Sequence, residues 1–261
     1  MIEGLSLLTL VLLILAGFSA GWVDAVVGGG GLLQLPALLM VPGMTPVQAL
    51  ATNKLGSIFG TTTSAITYAR RVQPSMTTAL PMAGAALIAS FGGAVVAASL
   101  PERIILPLIL IALIGVGVFT AAKPDVGQLE KLRHAGFGHL SRALAIGAIM
   151  GFYDGVLGPG TGTFLIIALV TVLGYNFLNS SAQAKVVNAA TNLGALLFFA
   201  PSGHVLILTG LILGAANMCG AYVGARMAIA KGSKFIRIVF LTVVFALVIK
   251  LGYDVAVDLW G

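Results

Sequence analysis

Two lysines, Lys54 and Lys185, lie inside long apolar stretches of the chain. A lysine at bilayer depth costs about 3 kcal/mol on insertion scales, so it requires a partner or water. Each lysine is followed by polar residues three and seven positions later, a spacing that places all of them on one helical face. The polar neighbours are Thr52, Asn53, Ser57 and Thr61 around the first lysine, and Gln183, Asn188 and Asn192 around the second. Two such faces predict an anion-binding site, and the alternative is that both lysines extend to a membrane interface.

Two aspartates accompany the lysines at equivalent places in the sequence. Asp24 and Asp154 each lie four residues before a glycine-rich segment and close behind an aromatic residue. Carboxylates inside membranes commonly belong to proton relays, so both are candidates for proton coupling. They fit equally well as caps of an interrupted helix or as partners of the lysines, and the sequence leaves these alternatives open.

The glycine-rich segments predict two interruptions of membrane helices. The first comprises Gly28, Gly29, Gly30 and Gly31, and the second comprises Gly158, Pro159, Gly160 and Thr161. Each glycine weakens a helix by about 1 kcal/mol relative to alanine, and a proline removes a backbone donor. Unwound backbone at membrane depth is tolerated when it lines a wet cavity, and the helix start that follows it favours an anion. Close helix packing through small residues is the alternative.

The composition places the chain in a membrane. Of its 261 residues, 59% are hydrophobic and 8% are charged, too few charges to cover a soluble surface. Apolar runs that approach the roughly 20 residues of a membrane-spanning helix occur at 5–27, 77–99, 104–122, 205–225 and 235–253, and runs with isolated polar groups occur at 46–69 and 182–200. The sequence therefore predicts an all-α polytopic membrane protein, and its net charge of +6 is assigned to loops that fix topology rather than to nucleic-acid binding.

An internal repeat divides the chain into two halves. Asp24 and Gly28 recur 130 positions later as Asp154 and Gly158, and Lys54 recurs after 131 positions as Lys185. We expect two repeats of about four helices at 1–122 and 141–261, joined by a cytoplasmic linker at 123–140. In the second half, the basic loop comes one membrane span later than the equivalent basic loop of the first half. Equivalent loops would then face opposite sides of the membrane, which predicts an inverted repeat with both termini outside. The short segments 32–42 and 162–174 could span thinly or re-enter.

The combined motifs resemble the TauE/SafE sulfite exporter family over essentially the whole chain. The resemblance rests on Ala20-Gly21-Trp22-Val23-Asp24 with Gly28 to Gly31, on Ala51-Thr52-Asn53-Lys54, and on Gly151-Phe152-Tyr153-Asp154-Gly155 with Gly158-Pro159-Gly160. It implies a bacterial inner-membrane carrier of eight helices in two similar halves. It also implies sulfite, sulfonates or other small organosulfur and oxo-acid anions as substrates.

The residues and the resemblance together predict a secondary transporter with alternating access between the repeats. Its partners would be a small anion and the lipid bilayer, without nucleic acid, metal or cofactor, and the sequence leaves a homo-oligomer open. An anion-selective channel with the same lining is the second hypothesis. An enzyme is not expected, because the spans contain no histidine to activate Ser57 or Ser64.

Overall fold

The chain folds into long helices with two short ones between them. The computed structural model describes residues 7–101, 103–105, 107–108, 111 and 131–260, and beyond residue 236 it describes the side chains of Ile238, Val239 and Thr242 only. The described residues contain no strand. In chain order the elements are α1 (Leu7–Val27), α2 (Gly31–Leu39), α3 (Pro46–Val72), α4 (Met76–Ser99), α5 (Gly136–Val156), α6 (Thr161–Ala168) with a π-helical continuation (Leu169–Leu173), α7 (Phe177–Phe199) and α8 (Ile207–Trp260).

Three of these helices are long and apolar enough to cross a membrane: α1, α4 and the part of α8 from Ile207 to Ile236. They coincide with the predicted spans 5–27, 77–99 and 205–225. The predicted span 235–253 continues α8 beyond a kink at Gly232, and most of the predicted span 104–122 lies outside the described residues. The linker predicted to end at residue 140 overlaps α5, which already begins at Gly136.

The buried polar residues lie mainly on α3 and α7, and local signals fix where these helices begin. At the start of α3, Thr45 and Gln48 form a capping box, with Pro46 in the first turn. These side chains satisfy amides that have no acceptor within the helix. At the start of α7, the Asn176 side chain accepts from the amide of Asn179. Both helices therefore start at fixed positions, which sets the register of their lysines.

Helices of the two halves pack against each other in matching pairs. In one group, α1 and α3 both pack along α8. In the other, their equivalents in the second half, α5 and α7, both pack along α4. A Cβ on Gly21 would lie 2.0 Å from the carbonyl oxygen of Asn217, and one on Gly151 would lie 2.3 Å from that of Ala86. Close helix packing is thus the role of these two glycines, which lie within the helices and before the glycine-rich segments.

Both predicted helix interruptions are present. Backbone in the left-handed region follows α1 at Gly28 (φ 82°) and follows α5 at Gly158 (φ 91°) and Gly160 (φ 77°). After the first break, α2 has 9 residues, a length of about 14 Å at 1.5 Å per residue. This is roughly half of the hydrocarbon thickness of a bilayer, so α2 is too short to span one. The glycines therefore end the long helices α1 and α5 and begin new, short ones.

Candidate functional site

The two breaks contact each other directly. The amide of Thr163, near the start of α6, donates to the carbonyl of Gly28 at 3.2 Å. The Thr163 hydroxyl donates to the carbonyl of Val27 at 3.0 Å. A Cβ on Gly28 would lie only 2.2 Å from the carbonyl carbon of Gly162. The last carbonyls of α1 have no donor within their own helix. The start of α6 supplies donors to them, and the absence of a side chain on Gly28 permits this close approach.

Each buried lysine forms an ion pair beside one of these breaks. The Lys54 ammonium lies 2.7 Å from a carboxylate oxygen of Asp154, and it also donates to the main-chain carbonyl of that residue. The Lys185 ammonium lies 2.9 Å from a carboxylate oxygen of Asp24, and it likewise donates to the Asp24 carbonyl. The lysines are 1% and 0% exposed. Both aspartates are thus partners of the lysines, and their role in proton coupling stays a prediction.

The two ion pairs cross between the halves of the chain. The α3 lysine, Lys54, pairs with the last turn of α5, and the α7 lysine, Lys185, pairs with the last turn of α1. The end of a helix carries partial negative charge and unsatisfied carbonyls. An ammonium group placed there is stabilised by the carboxylate and by the helix end together. The lysine ammonium groups thus bind carbonyls at the ends of the interrupted helices, and both lysines are buried inside the protein.

A small polar cavity lies between the breaks and the two lysine-bearing helices. The space open to the centre of a water molecule is about 20 Å³, room for little more than one water. Its lining residues are Asp24, Gly28, Gly31, Asn53, Lys54, Ser57, Thr61, Asp154, Gly158, Gly160, Gly162, Asn188 and Asn192. Carboxylates, an ammonium group, amides and hydroxyls thus surround this space.

Buried amide groups beside this cavity retain unused hydrogen-bonding capacity. The side-chain oxygens of Asn53 and Asn188 are buried and have no hydrogen-bond partner within the described part of the chain. Leaving a buried polar atom unpaired costs about 1–3 kcal/mol. The Asn192 side chain donates to the Thr61 hydroxyl at 3.4 Å, so two residues at equivalent repeat positions meet here. Unpaired polar atoms in a cavity are a common mark of a site that takes a ligand or water.

A second polar network supports one wall of the cavity. Gln34 on α2 is fully buried and accepts from the Asn217 amide at 2.6 Å. The Gln34 amide donates to the Ser57 hydroxyl at 3.3 Å and to the Asn53 carbonyl at 3.2 Å. Asn217 on α8 thus forms a helix–helix hydrogen bond with α2. The network ties the short helix α2 to α3 and α8.

Several residues predicted for the site lie outside the cavity lining. These are Gly29, Gly30, Thr52, Pro159, Thr161 and Lys185. The hydroxyl of Thr52 accepts from the amide of Leu206, just before α8. The carbonyl of Pro159 accepts from the Tyr153 hydroxyl at 2.6 Å, and the Thr161 hydroxyl donates to the carbonyl of Gly158 at 2.8 Å. These three positions shape the breaks or the helix start, and Lys185 reaches the cavity through Asp24.

The structure places two further residues, which the sequence did not assign to the site, at or behind it. Gly162 lines the cavity, and Gln34 lies behind it. Thr61, which the sequence placed on the polar face of Lys54 as the repeat equivalent of Asn192, also lines the cavity. The sequence around Gly162 and Gln34 offered no comparable signal. No group of three or more histidine, cysteine or acidic residues suited to a metal occurs within the described ranges.

The sequence matches the model of one family, "Sulfite exporter TauE/SafE", over residues 13–251. The chain belongs to this TauE/SafE family. It is 36% identical over 245 residues to the "Probable membrane transporter protein ORF9" of Sinorhizobium sp, covering 94% of this chain and 93% of that protein. It is 35% identical over 247 residues to the "Probable membrane transporter protein YfcA" of Escherichia coli K12, covering 95% and 91% respectively.

A "Probable membrane transporter protein" of Haemophilus influenzae is 32% identical over 245 residues, which cover 94% of this chain and 95% of that protein. No solved structure matches the chain significantly. The protein is therefore a membrane transporter of the TauE/SafE family, as its sequence motifs predicted. The crossed ion pairs and the small cavity described above are features of a transporter chain.

Proposed function

We propose that this protein is a secondary transporter that moves small sulfur-containing or oxo-acid anions across the bacterial inner membrane. The observation that carries the proposal is the pair of fully buried lysines beside two helix breaks. An anion in the cavity would replace a carboxylate as the partner of Lys54, and the side-chain NH2 groups of Asn53 and Asn188 would donate hydrogen bonds to it, while their unpaired oxygens would accept from a water or from a proton on the anion. The name of the family supports sulfite as the first substrate to test.

The charges of the site suggest how an anion could enter it. Two lysines and two aspartates give a buried site of zero net charge. A monoanion added to that site would be an uncompensated buried charge, which is strongly disfavoured. Protonation of Asp24 or Asp154 would free one ammonium group and leave the site with one positive charge. We therefore propose that one proton accompanies each monovalent anion, with these two aspartates as alternative carriers.

Alternating access between two inverted repeats would move this site from one side to the other. The helix pairings between the halves support a two-fold relation, because α1–α8 matches α5–α4. Two observations support inversion. Tyr175, after the second short helix, is hydrogen-bonded to Thr78 at the start of α4, whereas Val41, after the first, belongs to the same apolar cluster as Leu100 at the end of α4. An inverted repeat predicts this difference between equivalent loops.

The basic residues support an orientation with both termini outside. Arg70 and Arg71 at the end of α3 line the same groove as Arg226 of α8, so basic positions of both halves share one end of the molecule. The positive-inside rule assigns that end to the cytoplasm. A periplasmic amino terminus, accessible to a membrane-impermeant reagent in intact cells, is the expected outcome. Labelling only after cell lysis would contradict it.

The cavity favours a transporter over the anion-selective channel. A channel requires a continuous path with sites that bind an anion weakly. Here the site holds about one water and both of its cations are already engaged by carboxylates. Anion binding must therefore be coupled to a rearrangement of ion pairs, which limits flux to the rate of that step.

The test is flux into proteoliposomes that contain the full-length protein. Sulfite, sulfate, thiosulfate, taurine and sulfoacetate are offered in turn, and the best substrate of fixed charge is then driven by a pH gradient. We expect saturable uptake with counterflow, directed from the acidic to the alkaline side. Asp154→Asn should bind the anion without a proton and lose the response to the gradient, while Lys54→Met should lose uptake altogether.

Lys234→Met, which removes an exposed lysine of α8, is the matched control and should transport normally. Wild-type flux in Lys54→Met and Lys185→Met would remove these lysines from the site. Non-saturating flux without counterflow would replace the transporter by the channel. Uptake that ignores the pH gradient in the wild-type protein would reject proton coupling and leave the anion site itself intact.

A further inference from the structure

A second polar cavity lies at the end of α3, where this helix meets α8. The groove has a volume of about 370 Å³, within the range of ligand pockets. Three arginines, Arg70, Arg71 and Arg226, contribute to its lining, together with Tyr222 and Ile229. None of its lining residues belongs to the small cavity between the helix breaks. It is therefore a separate feature, and the proposed transport cycle makes no use of it.

Among the residues that the structure describes, no acidic side chain forms an ion pair with the arginines of the groove. Both ion pairs found in the described part of the chain are lysine–aspartate pairs at the helix breaks. All three guanidinium groups are exposed. Like charges gathered on one groove repel one another, so an anion that joined them would be favoured. Arginine in particular presents a planar set of donors that matches the oxygens of a phosphate.

One of the three guanidinium groups is held in place. Arg226 lies over the ring of Tyr222, 5.5 Å from its centre, and donates to the Tyr222 hydroxyl at 3.1 Å. That hydroxyl accepts this bond and so keeps its own proton available to donate. The remaining donors of Arg226 and the Tyr222 hydroxyl can then bind one oxyanion together. Beside them, Ile229 and Ala230 give the groove an apolar wall.

We propose that this groove binds a phosphate group, with the three arginines as its cationic side and the α8 residues as its apolar side. The phosphodiester of an anionic phospholipid fits both sides at once, because its phosphate and its glycerol are adjacent. Basic clusters next to membrane helices are attracted to such lipids. A soluble phosphate would use the cationic side alone. The phospholipid and the soluble phosphate both bind the arginines through a phosphate group, and only the phospholipid also contacts the apolar side of the groove.

The experiment compares lipid binding to the delipidated full-length protein in detergent. Phosphatidylglycerol and phosphatidylcholine with identical short acyl chains are added, and the bound lipid is counted by native mass spectrometry. Inorganic phosphate is added in a third arm as a competitor. We expect phosphatidylglycerol to bind at least tenfold more tightly than phosphatidylcholine, and Arg70→Gln/Arg226→Gln to lose that preference.

Lys231→Gln/Lys234→Gln is the matched control, because it removes two exposed positive charges from α8 outside the groove lining. It should keep the preference to within about twofold. Competition by inorganic phosphate at similar concentration would identify a soluble phosphate as the ligand of the same site. An unchanged preference in the arginine variant, or an equal loss in the lysine variant, would overturn the proposal.

A second measurement covers the case in which the arginine variant does not fold. The wild-type protein is treated with a dicarbonyl reagent that modifies arginine, with and without phosphatidylglycerol, and the modified peptides are quantified. We expect the lipid to protect Arg70 and Arg226 severalfold and to leave Arg142 on α5 unprotected. Equal modification of all three arginines in both samples would also overturn the proposal.

Discussion

The crossed ion pairs make a prediction that two double variants of identical composition can test. Lys54→Met/Asp154→Asn removes one complete pair and leaves the other intact. Lys54→Met/Asp24→Asn removes one partner from each pair, so it leaves Lys185 and Asp154 buried without their present partners. Both variants lose one lysine and one aspartate, so they share the same net charge and nearly the same change in side-chain volume.

The expected difference follows from the geometry of the pairs. At 2.7 Å between the charged atoms, and with an effective dielectric constant of about 20, the attraction is roughly 6 kcal/mol. Most of it offsets the cost of taking both charges out of water. Removing one partner of a buried pair costs roughly 3–5 kcal/mol, because the other charge stays buried alone, whereas removing both partners can be nearly neutral.

We therefore expect the variant that breaks both pairs to be far less stable than the variant that removes one pair. A loss of about 3 kcal/mol lowers the melting temperature of a large domain by about 6 °C or more. The measurement is thermal unfolding of the full-length protein in one detergent, followed by tryptophan fluorescence. Lys234→Met controls for the loss of an exposed lysine and should melt with the wild-type protein.

Equal melting temperatures for the two double variants would refute the reasoning. That result would mean that the charges do not recognise their specific partners, or that Lys185 and Asp154 pair with each other at no cost. The single variants Lys54→Met and Asp154→Asn complete a thermodynamic cycle. If their separate losses simply add up in the double variant, the two groups do not interact, whatever their distance.

Two further predictions concern the elements that hold the site. Gly28→Ala should abolish transport and lower stability, because its Cβ would lie 2.2 Å from the backbone of Gly162. Gly43 has a similar φ of 78° but open space around it, so Gly43→Ala should lower the free energy of unfolding by only roughly 1 kcal/mol through backbone strain. Similar losses of flux and melting temperature in both variants would contradict the importance of the Gly28–Gly162 contact. Asn217→Ala leaves the side-chain oxygen of the buried Gln34 without its donor, so the variant should lose about 1–3 kcal/mol of unfolding free energy. An unchanged melting temperature would show that this hydrogen bond does not stabilise the protein.

The long helices and the breaks could be predicted because their signals are local. An apolar run of bilayer length, four consecutive glycines or a Gly-Pro-Gly segment needs no knowledge of distant residues. The internal repeat also showed that Lys54 and Lys185 occupy equivalent positions, and this equivalence predicted two related polar helix faces. The span predicted at 104–122 and the residues of the linker up to 130 fall mostly outside the described part of the chain, so those predictions stay predictions.

The partners of the lysines could not be predicted, because the contacts are distant in sequence. Lys54 meets a residue 100 positions away, and Lys185 meets one 161 positions away. Either lysine could have paired with the aspartate of its own half on the same local evidence. Only the packing of α3 against α7 and α8, and of α4 against α5, decides that each lysine reaches the opposite half.

The differences between the predicted site residues and the residues that line the cavity have a simple geometric cause. Thr52 was assigned to the site because it is close to Lys54 in sequence, but two residues along a helix turn a side chain by about 200°. Thr52 therefore points toward the start of α8, whereas Ser57 and Thr61, three and seven residues after the lysine, line the cavity. Gln34 was overlooked because its repeat equivalent is Phe164, so the symmetry that revealed the lysines gave no signal there.

Backbone contacts, hydrogen bonds and ion pairs join the two halves at the breaks. Gly28 and Gly162 approach each other closely through their backbones, and two hydrogen bonds from Thr163 cross the same contact, so a displacement of one break along the other must break these bonds. The ion pairs Lys54–Asp154 and Lys185–Asp24 cross the same contact, and a displacement must stretch them. On the proposed mechanism, a proton on one aspartate and an anion on the released lysine would replace one pair without leaving a buried charge unpaired. The halves could then separate on the side of that pair while the other pair holds, which gives each half-site its own gate.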